Sequence, residues 1–101
     1  MRLTPHEHQV IKQSASACFG EQAEVRLFGS RADDARRGGD IDLLIDTPLT
    51  DLAVIAQAHV RFVAKLYAQL GEQKIDVLID YPHRQIDLPI YGIARQQGVV
   101  L

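Results

Sequence analysis

Two aspartates stand two residues apart at the start of an apolar segment that runs from Asp40 to Asp46. Because side chains alternate between the two faces of a strand, the carboxylates of Asp40 and Asp42 would share one face and Ile41 would lie on the other. Neighbouring carboxylates repel each other and raise each other's proton affinity, and a cation between them removes that cost. Mg²⁺ suits such a place, since it takes a few carboxylates and fills its other positions with water and substrate phosphate. The spacing therefore predicts a magnesium site.

A glycine–serine pair precedes these aspartates by a short polar segment. Strand Glu24–Phe28 is predicted to end at a tight turn made by Gly29 and Ser30, where the missing β-carbon of glycine lets backbone amides approach a ligand. Ser30 could then cap a short helix over 31–37, and the N–H groups at the start of a helix suit a phosphate. Gly38 and Gly39 would lead into the strand over 40–46. The segment predicts a phosphate-binding turn beside the aspartates.

A third aspartate, Asp76, lies near the start of another predicted strand, Lys74–Asp80. The long helix predicted between the two aspartate-bearing strands suits a right-handed crossover, which makes the strands parallel. Parallel neighbours would place Asp76 beside Asp40 and Asp42, at the same end of the sheet as the turn. The predicted site depends on this pairing.

The remaining predicted elements complete an α/β (α+β) fold, a small mixed β-sheet with helices packed on it. The predicted helices are Pro5–Phe19, Asp51–Leu70 and Asp87–Gln97, and the chain would end in a short strand, 99–101. Thr4 and Glu7 have the spacing of a capping box, and Thr50 is a candidate N-cap for the second helix. The apolar stripe predicted for the second helix comprises Leu52, Ile55, His59, Phe62, Val63, Leu66 and Leu70, and that of the last helix comprises Ile90, Ile93 and Ala94. Arg84 and Arg95 are interpreted as solvated surface charges.

Length and composition narrow the class of protein. The 101 residues predict one domain, 1–101, and the 47% of hydrophobic residues suffice for a core. A net charge of −2 argues against a general nucleic-acid binder, which usually has a basic face. The single cysteine, Cys18, fits a reducing cytosol, and the sequence shows neither a leader peptide nor an apolar run of membrane-spanning length. We therefore expect a cytoplasmic protein that contacts neither membrane nor nucleic acid directly.

Three carboxylates around one or two Mg²⁺ ions, facing a phosphate-binding turn, suit transfer of a nucleotidyl group. A P-loop is absent from the sequence, Cys18 lies on an apolar helix face, and Ser30 has no evident base. The structural alternative is that the glycines form ordinary turns and that the aspartates are solvated charges at strand ends. An isolated Asp-x-Asp would fit that alternative, whereas the preceding Gly-Ser turn and the third aspartate favour a metal–nucleotide site.

Three segments of the chain resemble the DNA polymerase β-like nucleotidyltransferase superfamily. They are Phe28-Gly29-Ser30-Arg31-Ala32, Gly39-Asp40-Ile41-Asp42-Leu43-Leu44-Ile45 and Ile75-Asp76-Val77-Leu78. Within the superfamily the chain is similar to the minimal nucleotidyltransferases of prokaryotes, which consist of little more than the catalytic core. That similarity extends to the ending, 93–101.

The resemblance implies an Mg²⁺-dependent adenylyltransferase that uses ATP. Its relatives are often encoded beside a small helical HEPN-domain toxin that cleaves RNA, and they act as its antitoxin by placing AMP on a tyrosine of the toxin. Carried over by motif, the metal-binding and catalytic residues would be Asp40, Asp42 and Asp76, with Asp76 as the base for the acceptor hydroxyl. The nucleotide-binding residues would be Gly29, Ser30 and Arg31.

Two other functions stay open on the sequence. The chain could be a non-catalytic antitoxin that masks its partner and keeps a vestigial site, although a vestigial site has no reason to keep mutually repelling charges. It could also transfer a nucleotidyl group to a small molecule. About 25 residues follow Asp76, fewer than a second, acceptor-binding domain needs, so we expect the acceptor to be a docked protein or a small molecule in an open groove.

Overall fold

The computed structural model describes residues 1–35 and 39–101. These residues form three α-helices and a four-stranded mixed sheet, joined by turns and loops. In chain order the elements are α1 (Pro5–Phe19), β1 (Glu24–Phe28), a 3-10 helix (Gly29–Ala32), β2 (Ile41–Asp46), α2 (Leu52–Leu70), β3 (Ile75–Asp80), α3 (Pro89–Gln97) and β4 (Val99–Val100). The expected class, a small mixed sheet with helices packed on it, is confirmed. No helix in this part of the chain has the length and apolarity needed to cross a bilayer.

The strands lie in the order β3-β2-β1-β4, so that β3 forms one edge of the sheet. β1 is antiparallel to both β2 and β4, whereas β2 and β3 are parallel, as the intervening helix α2 predicts. In the parallel pair Asp42 is opposite Asp76 and Asp46 is opposite Asp80. The pairing on which the predicted site depends is therefore present.

The two faces of the sheet differ in character. The face under α1 and α2 is apolar and holds the main core, in which the rings of Phe19 and Phe62 meet edge to face at 5.6 Å. The buried strand residues of this core are Val25, Leu27, Ile41, Leu43, Ile45, Ile75 and Ile79. The other face has a smaller apolar cluster of Phe28, Leu44 and Ala94, with Leu78 and Tyr91 packed against it. This second face carries the aspartates, because they alternate with the core residues along β2 and β3.

The helix starts follow from local capping. The capping box of α1 is confirmed: the Glu7 amide donates to the Thr4 hydroxyl at 3.0 Å, and the Thr4 amide donates to the Glu7 carboxylate at 2.9 Å. The N-cap expected at Thr50 is wrong, since Asp51 caps α2 by accepting from the amides of Ala53 and Val54. A carboxylate suits this position better than a hydroxyl because it also faces the positive end of the helix dipole.

The apolar faces predicted for α2 and α3 are each wrong in part. Leu52, the first residue of α2, is 63% exposed, and Ala58 is buried on that helix instead. α3 begins at Pro89 rather than at Asp87, consistent with the preference of proline for the first helical position. It contacts the sheet through Ala94, which is fully buried, while Ile90 and Ile93 are 38% and 44% exposed at its flanks. Tyr91 of the same helix is partly buried and also packs against the smaller apolar cluster.

Candidate functional site

The parallel pairing brings the carboxyl groups of Asp42 and Asp76 together at the start of β2 and β3. The two residues are directly opposite each other in the parallel pairing of β2 and β3. Burial raises the pKa of Asp42, and the neighbouring charges of Asp76 and Asp40 and the hydrogen bond with Asp76 raise it further. The fold thus holds Asp42 ionised at neutral pH only at a cost in free energy.

Asp40 lies next to this pair, immediately before β2, and its carboxylate is turned to Lys74. The Lys74 ammonium is 3.5 Å from the Asp40 Oδ2 atom, and both side chains are largely exposed. Within residues 1–35 and 39–101, no three carboxylate, imidazole or thiolate groups already converge as a metal-binding set. A cation held by all three aspartates would therefore require the exposed Asp40 side chain to leave Lys74.

Gly29 lies directly against the carboxylate of Asp42. Its φ of +72° is a conformation that favours glycine, and a β-carbon built on it would collide with the Asp42 Oδ2 atom and lie 3.1 Å from the carboxyl carbon. Phe28 is opposite Asp42 in the β1–β2 pairing, so the turn begins at the level of that aspartate. The structure therefore places Gly29 at the aspartates, as the sequence predicts.

The short helix predicted over 31–37, with Ser30 as its cap, is wrong in the described part of the segment. A 3-10 helix spans Gly29–Ala32 and ends at Asp33, which is extended. The Asp33 carboxylate accepts from the Ala35 amide at 2.9 Å, and such local side-chain bonds compete with helix formation. Residues 36–38 lie outside the described residues. Four helical residues do not provide the predicted helix dipole, so phosphate binding by Gly29 and Ser30 stays a prediction.

Arg31 is directed into the protein, where it links segments distant in sequence. Its guanidinium donates to the carbonyl oxygens of Arg2 and Gly39 at 3.2 and 3.0 Å, and to the side chains of Glu7 and Gln73 at 3.5 and 3.4 Å. The side chain is only 17% exposed. Arg31 thus ties together the residues just ahead of β2 and β3, where the aspartates begin. Its predicted contact with phosphate would cost some of these bonds and stays a prediction.

A second pair of aspartates, Asp46 and Asp80, lies on the same face at the other end of the two strands. Arg95 donates to Asp46 at 3.1 Å and to Asp80 at 2.6 Å, and Arg84 donates to Asp80 at 2.9 Å. Burial alone would raise the pKa of Asp80, but the hydrogen bonds from Arg95 and Arg84 outweigh it and lower the pKa. The interpretation of Arg84 as a solvated charge is wrong, since it is 13% exposed and also stacks over the Tyr91 ring at 3.4 Å. Arg95 is exposed at the surface, as interpreted, but it pairs with both aspartates.

The two aspartate pairs lie in nearly identical strand sequences but have opposite electrostatic surroundings. Ile-Asp-Leu-Leu-Ile-Asp forms β2 and Ile-Asp-Val-Leu-Ile-Asp forms β3, so one in-register pairing creates both pairs. Two arginines neutralise Asp46 and Asp80, and the pKa of Asp80 is lowered. The charge of Lys74 reaches Asp42 only as the smallest of the effects on it, and the pKa of Asp42 is raised. The Asp42–Asp76 end is the one that an external cation would stabilise.

Replacing Arg95 by Gln is expected to lower the free energy of unfolding at neutral pH by about 1 kcal/mol, because Arg95 is part-exposed and solvent weakens its ion pairs. The folded-state pKa of Asp80 lies below its unfolded value. Its contribution is therefore complete above the ordinary aspartate pKa of about 3.9 and is lost as pH falls through the folded value. Urea unfolding of both proteins between pH 7 and pH 3 should show the difference shrinking with acidity. A difference independent of pH would contradict this electrostatic role.

Lys74 is a residue of the site that the sequence motifs do not single out. Lys74 lies two residues before Asp76, the same spacing that placed Asp40 and Asp42 on one face, so strand alternation could have found it. Comparison with known proteins adds no further site residue: no protein-family model matches this chain, and no curated protein matches it either. The functional interpretation therefore depends on the residues and contacts described above.

Proposed function

We propose that the chain is an Mg²⁺-dependent nucleotidyltransferase that transfers AMP from ATP to a tyrosine hydroxyl of a HEPN-type toxin and so acts as its antitoxin. One observation carries the proposal: Asp42 and Asp76 are opposite each other, with Asp42 against the Gly29 turn, and within residues 1–35 and 39–101 no arginine pairs with them as Arg84 and Arg95 pair with Asp46 and Asp80. The mixed sheet with its parallel β2–β3 pair is compatible with a polymerase β-like nucleotidyltransferase fold.

The residues present fit a magnesium ion. Asp42 and Asp76 offer adjacent carboxylate oxygens, and Asp40 could join them by turning away from Lys74. Asp76 is exposed, so water and phosphate oxygens could complete the coordination. Held by Asp42 and Asp76, Mg²⁺ would supply positive charge that stabilises the leaving pyrophosphate.

Asp76 is the best-placed general base for the transfer. In the proposed step the acceptor hydroxyl oxygen forms a bond to the α-phosphorus of ATP, the bond from that phosphorus to the bridging oxygen breaks, and pyrophosphate leaves. The hydroxyl proton passes to the Asp76 carboxylate.

The position of Asp76 favours an acceptor that arrives from outside. β3 is an edge strand and the Asp76 side chain is exposed, so a group carried by another molecule can reach it. A tyrosine hydroxyl on a docked protein meets this requirement. The second candidate function, a non-catalytic antitoxin, is favoured by a groove of about 570 Å³ whose lining includes the exposed Leu52, Ile86 and Leu88, since such a surface could bind a partner without chemistry.

Labelled ATP distinguishes the two functions. The full chain is incubated with Mg²⁺, ATP labelled on the α-phosphate and the product of its neighbouring gene, and we expect label on a tyrosine of that protein. Asp76→Asn should lower labelling by about 10² to 10³, the usual effect of losing a general base or a stabilising group. Asp80→Asn is the matched control on the same strand and should retain labelling in its folded fraction.

Two outcomes would contradict the proposal. Labelling that survives unchanged in Asp76→Asn would remove Asp76 from the reaction. Copurification of the two proteins without any label would favour the masking function instead.

A further inference from the structure

We propose that Lys74 binds the phosphates of the nucleotide and that, while no metal is bound, it serves as the counter-ion of Asp40. The inference deepens the proposed function and rests on it. Lys74 is a positively charged residue that lies outside the three segments that carry the family resemblance.

Strand pairing sets the position of Lys74. Its carbonyl oxygen accepts from the Ile41 amide at 3.0 Å, which extends the β2–β3 pairing by one step and brings Lys74 level with Asp40. Lys74 is also two residues from Asp76, so its side chain shares the face of the aspartates. The ammonium lies 3.5 Å from Asp40 and its charge acts on Asp42 as well. Lys74 therefore lies on the same face of the sheet as Asp40, Asp42 and Asp76, beside their carboxylates.

In the ion pair between Lys74 and Asp40, another cation can readily replace the ammonium. The two side chains are 69% and 47% exposed, and exposed ion pairs contribute little to stability. A divalent cation that binds Asp40 would compete with the ammonium for the same oxygen atoms. The released ammonium would then lie at the metal site, where it can donate hydrogen bonds to phosphate oxygens.

Nearby charges show why such a cation is needed. A cavity beside Gly29 is lined in part by Asp33 and Asp34; the N-terminal ammonium pairs with Asp34, whereas the charge of Asp33 would repel a triphosphate. Arg31, the arginine of the motif, already makes four hydrogen bonds and is 17% exposed. Lys74 is more exposed and has a flexible stem with three donors, so it can reach a phosphate at a lower cost in existing contacts.

The test uses two ligands whose affinities should change in opposite directions. Binding of Mn²⁺ alone is measured by electron paramagnetic resonance, and binding of a non-hydrolysable ATP analogue with Mg²⁺ is measured by calorimetry. In Lys74→Gln, Mn²⁺ should bind up to about thirtyfold tighter, the effect of removing one unit charge about 4 Å from a doubly charged ion in water. The ATP analogue should bind about tenfold more weakly, the effect of losing a charge-assisted hydrogen bond.

Two further variants serve as controls. Lys74→Arg keeps the charge and should retain both affinities within a factor of two or so. Lys65→Gln removes an exposed lysine on α2 and should change neither. A purely structural role for Lys74 would not tighten Mn²⁺ binding.

Each failure has its own signature. Unchanged or weaker Mn²⁺ binding in Lys74→Gln, or an unchanged affinity for the ATP analogue, overturns the assignment of Lys74 and leaves the proposed function intact. Absence of Mn²⁺ binding by the unaltered chain overturns both.

Discussion

Replacing Asp42 by Asn is expected to stabilise the metal-free protein and to abolish its transfer activity. The pKa of Asp42 is raised by burial and by the charges of Asp76 and Asp40, so the folded state holds the ionised group at a cost. The isosteric amide removes that charge, and the free energy of unfolding should rise by up to about 1 kcal/mol at pH 7. Because the folded pKa is raised, the gain is complete above it and vanishes as Asp42 protonates on acidification.

Asp80→Asn is the matched control at the opposite end of the same face, and it should have the opposite effect. It removes the partner of Arg95 and of Arg84, a cation that is only 13% exposed. Losing the carboxylate that both arginines share should lower the free energy of unfolding, although Arg84 keeps its pair with Asp87 and Arg95 keeps its pair with Asp46. Urea unfolding at pH 7 compares the two variants directly. Changes of the same sign in both variants would contradict the difference between the two pairs.

The transfer activities of Asp42→Asn and Asp80→Asn should rank in the opposite order to their stabilities. Asp42→Asn removes a proposed metal ligand and should lower transfer by about 10³ or more, although the variant is the more stable protein. Folded Asp80→Asn should keep its activity. Such a separation of stability from activity is typical of residues kept for function rather than for the fold.

The second large effect is expected for Gly29→Ala. The substitution imposes a side chain on a residue with φ +72° and drives its β-carbon into the Asp42 carboxylate. Backbone strain of about 1–3 kcal/mol adds to the cost of displacing the turn or the aspartate. We expect a loss of at least about 2 kcal/mol in the free energy of unfolding and a weaker affinity for divalent cations.

Gly71→Ala is the control for backbone strain alone. Gly71 has nearly the same φ, +76°, but a β-carbon there would meet nothing within 4 Å. It should lose only the backbone strain of about 1–3 kcal/mol and keep its affinity for cations. Combining Gly29→Ala with Asp42→Ala removes the colliding carboxylate and should reduce the cost of the alanine to that of Gly71→Ala, as measured by a double-mutant cycle. If Gly29→Ala lowered the free energy of unfolding equally with and without the Asp42 carboxylate, the collision would play no part.

Sequence patterns predicted the elements and their pairing because several local signals agree. The Thr4–Glu7 capping box sets the start of α1, and apolar alternation identifies β2 and β3. Register follows from the same alternation, since a slip by one residue would turn Asp42 or Asp76 into the core. The proximity of these two aspartates could therefore be predicted before any coordinates.

The contacts of long charged side chains could not be predicted in this way. Arg95 reaches Asp46, 49 residues away, and Arg31 reaches Gln73, 42 residues away. Such partners depend on how loops and α3 pack, which no local pattern encodes. The segment after Ser30 was mispredicted for a different reason: Asp33 bonds to the local backbone and ends the helical turn early.

Titration of the full chain with Mg²⁺, followed through backbone amide resonances, tests most directly the claim that Asp42 and Asp76 form a cation site. We predict saturable shifts centred on Asp42, Asp76 and Gly29 at millimolar Mg²⁺, with little change at Asp46 and Asp80. The absence of any saturable shift, or shifts largest at Asp46 and Asp80, would contradict it.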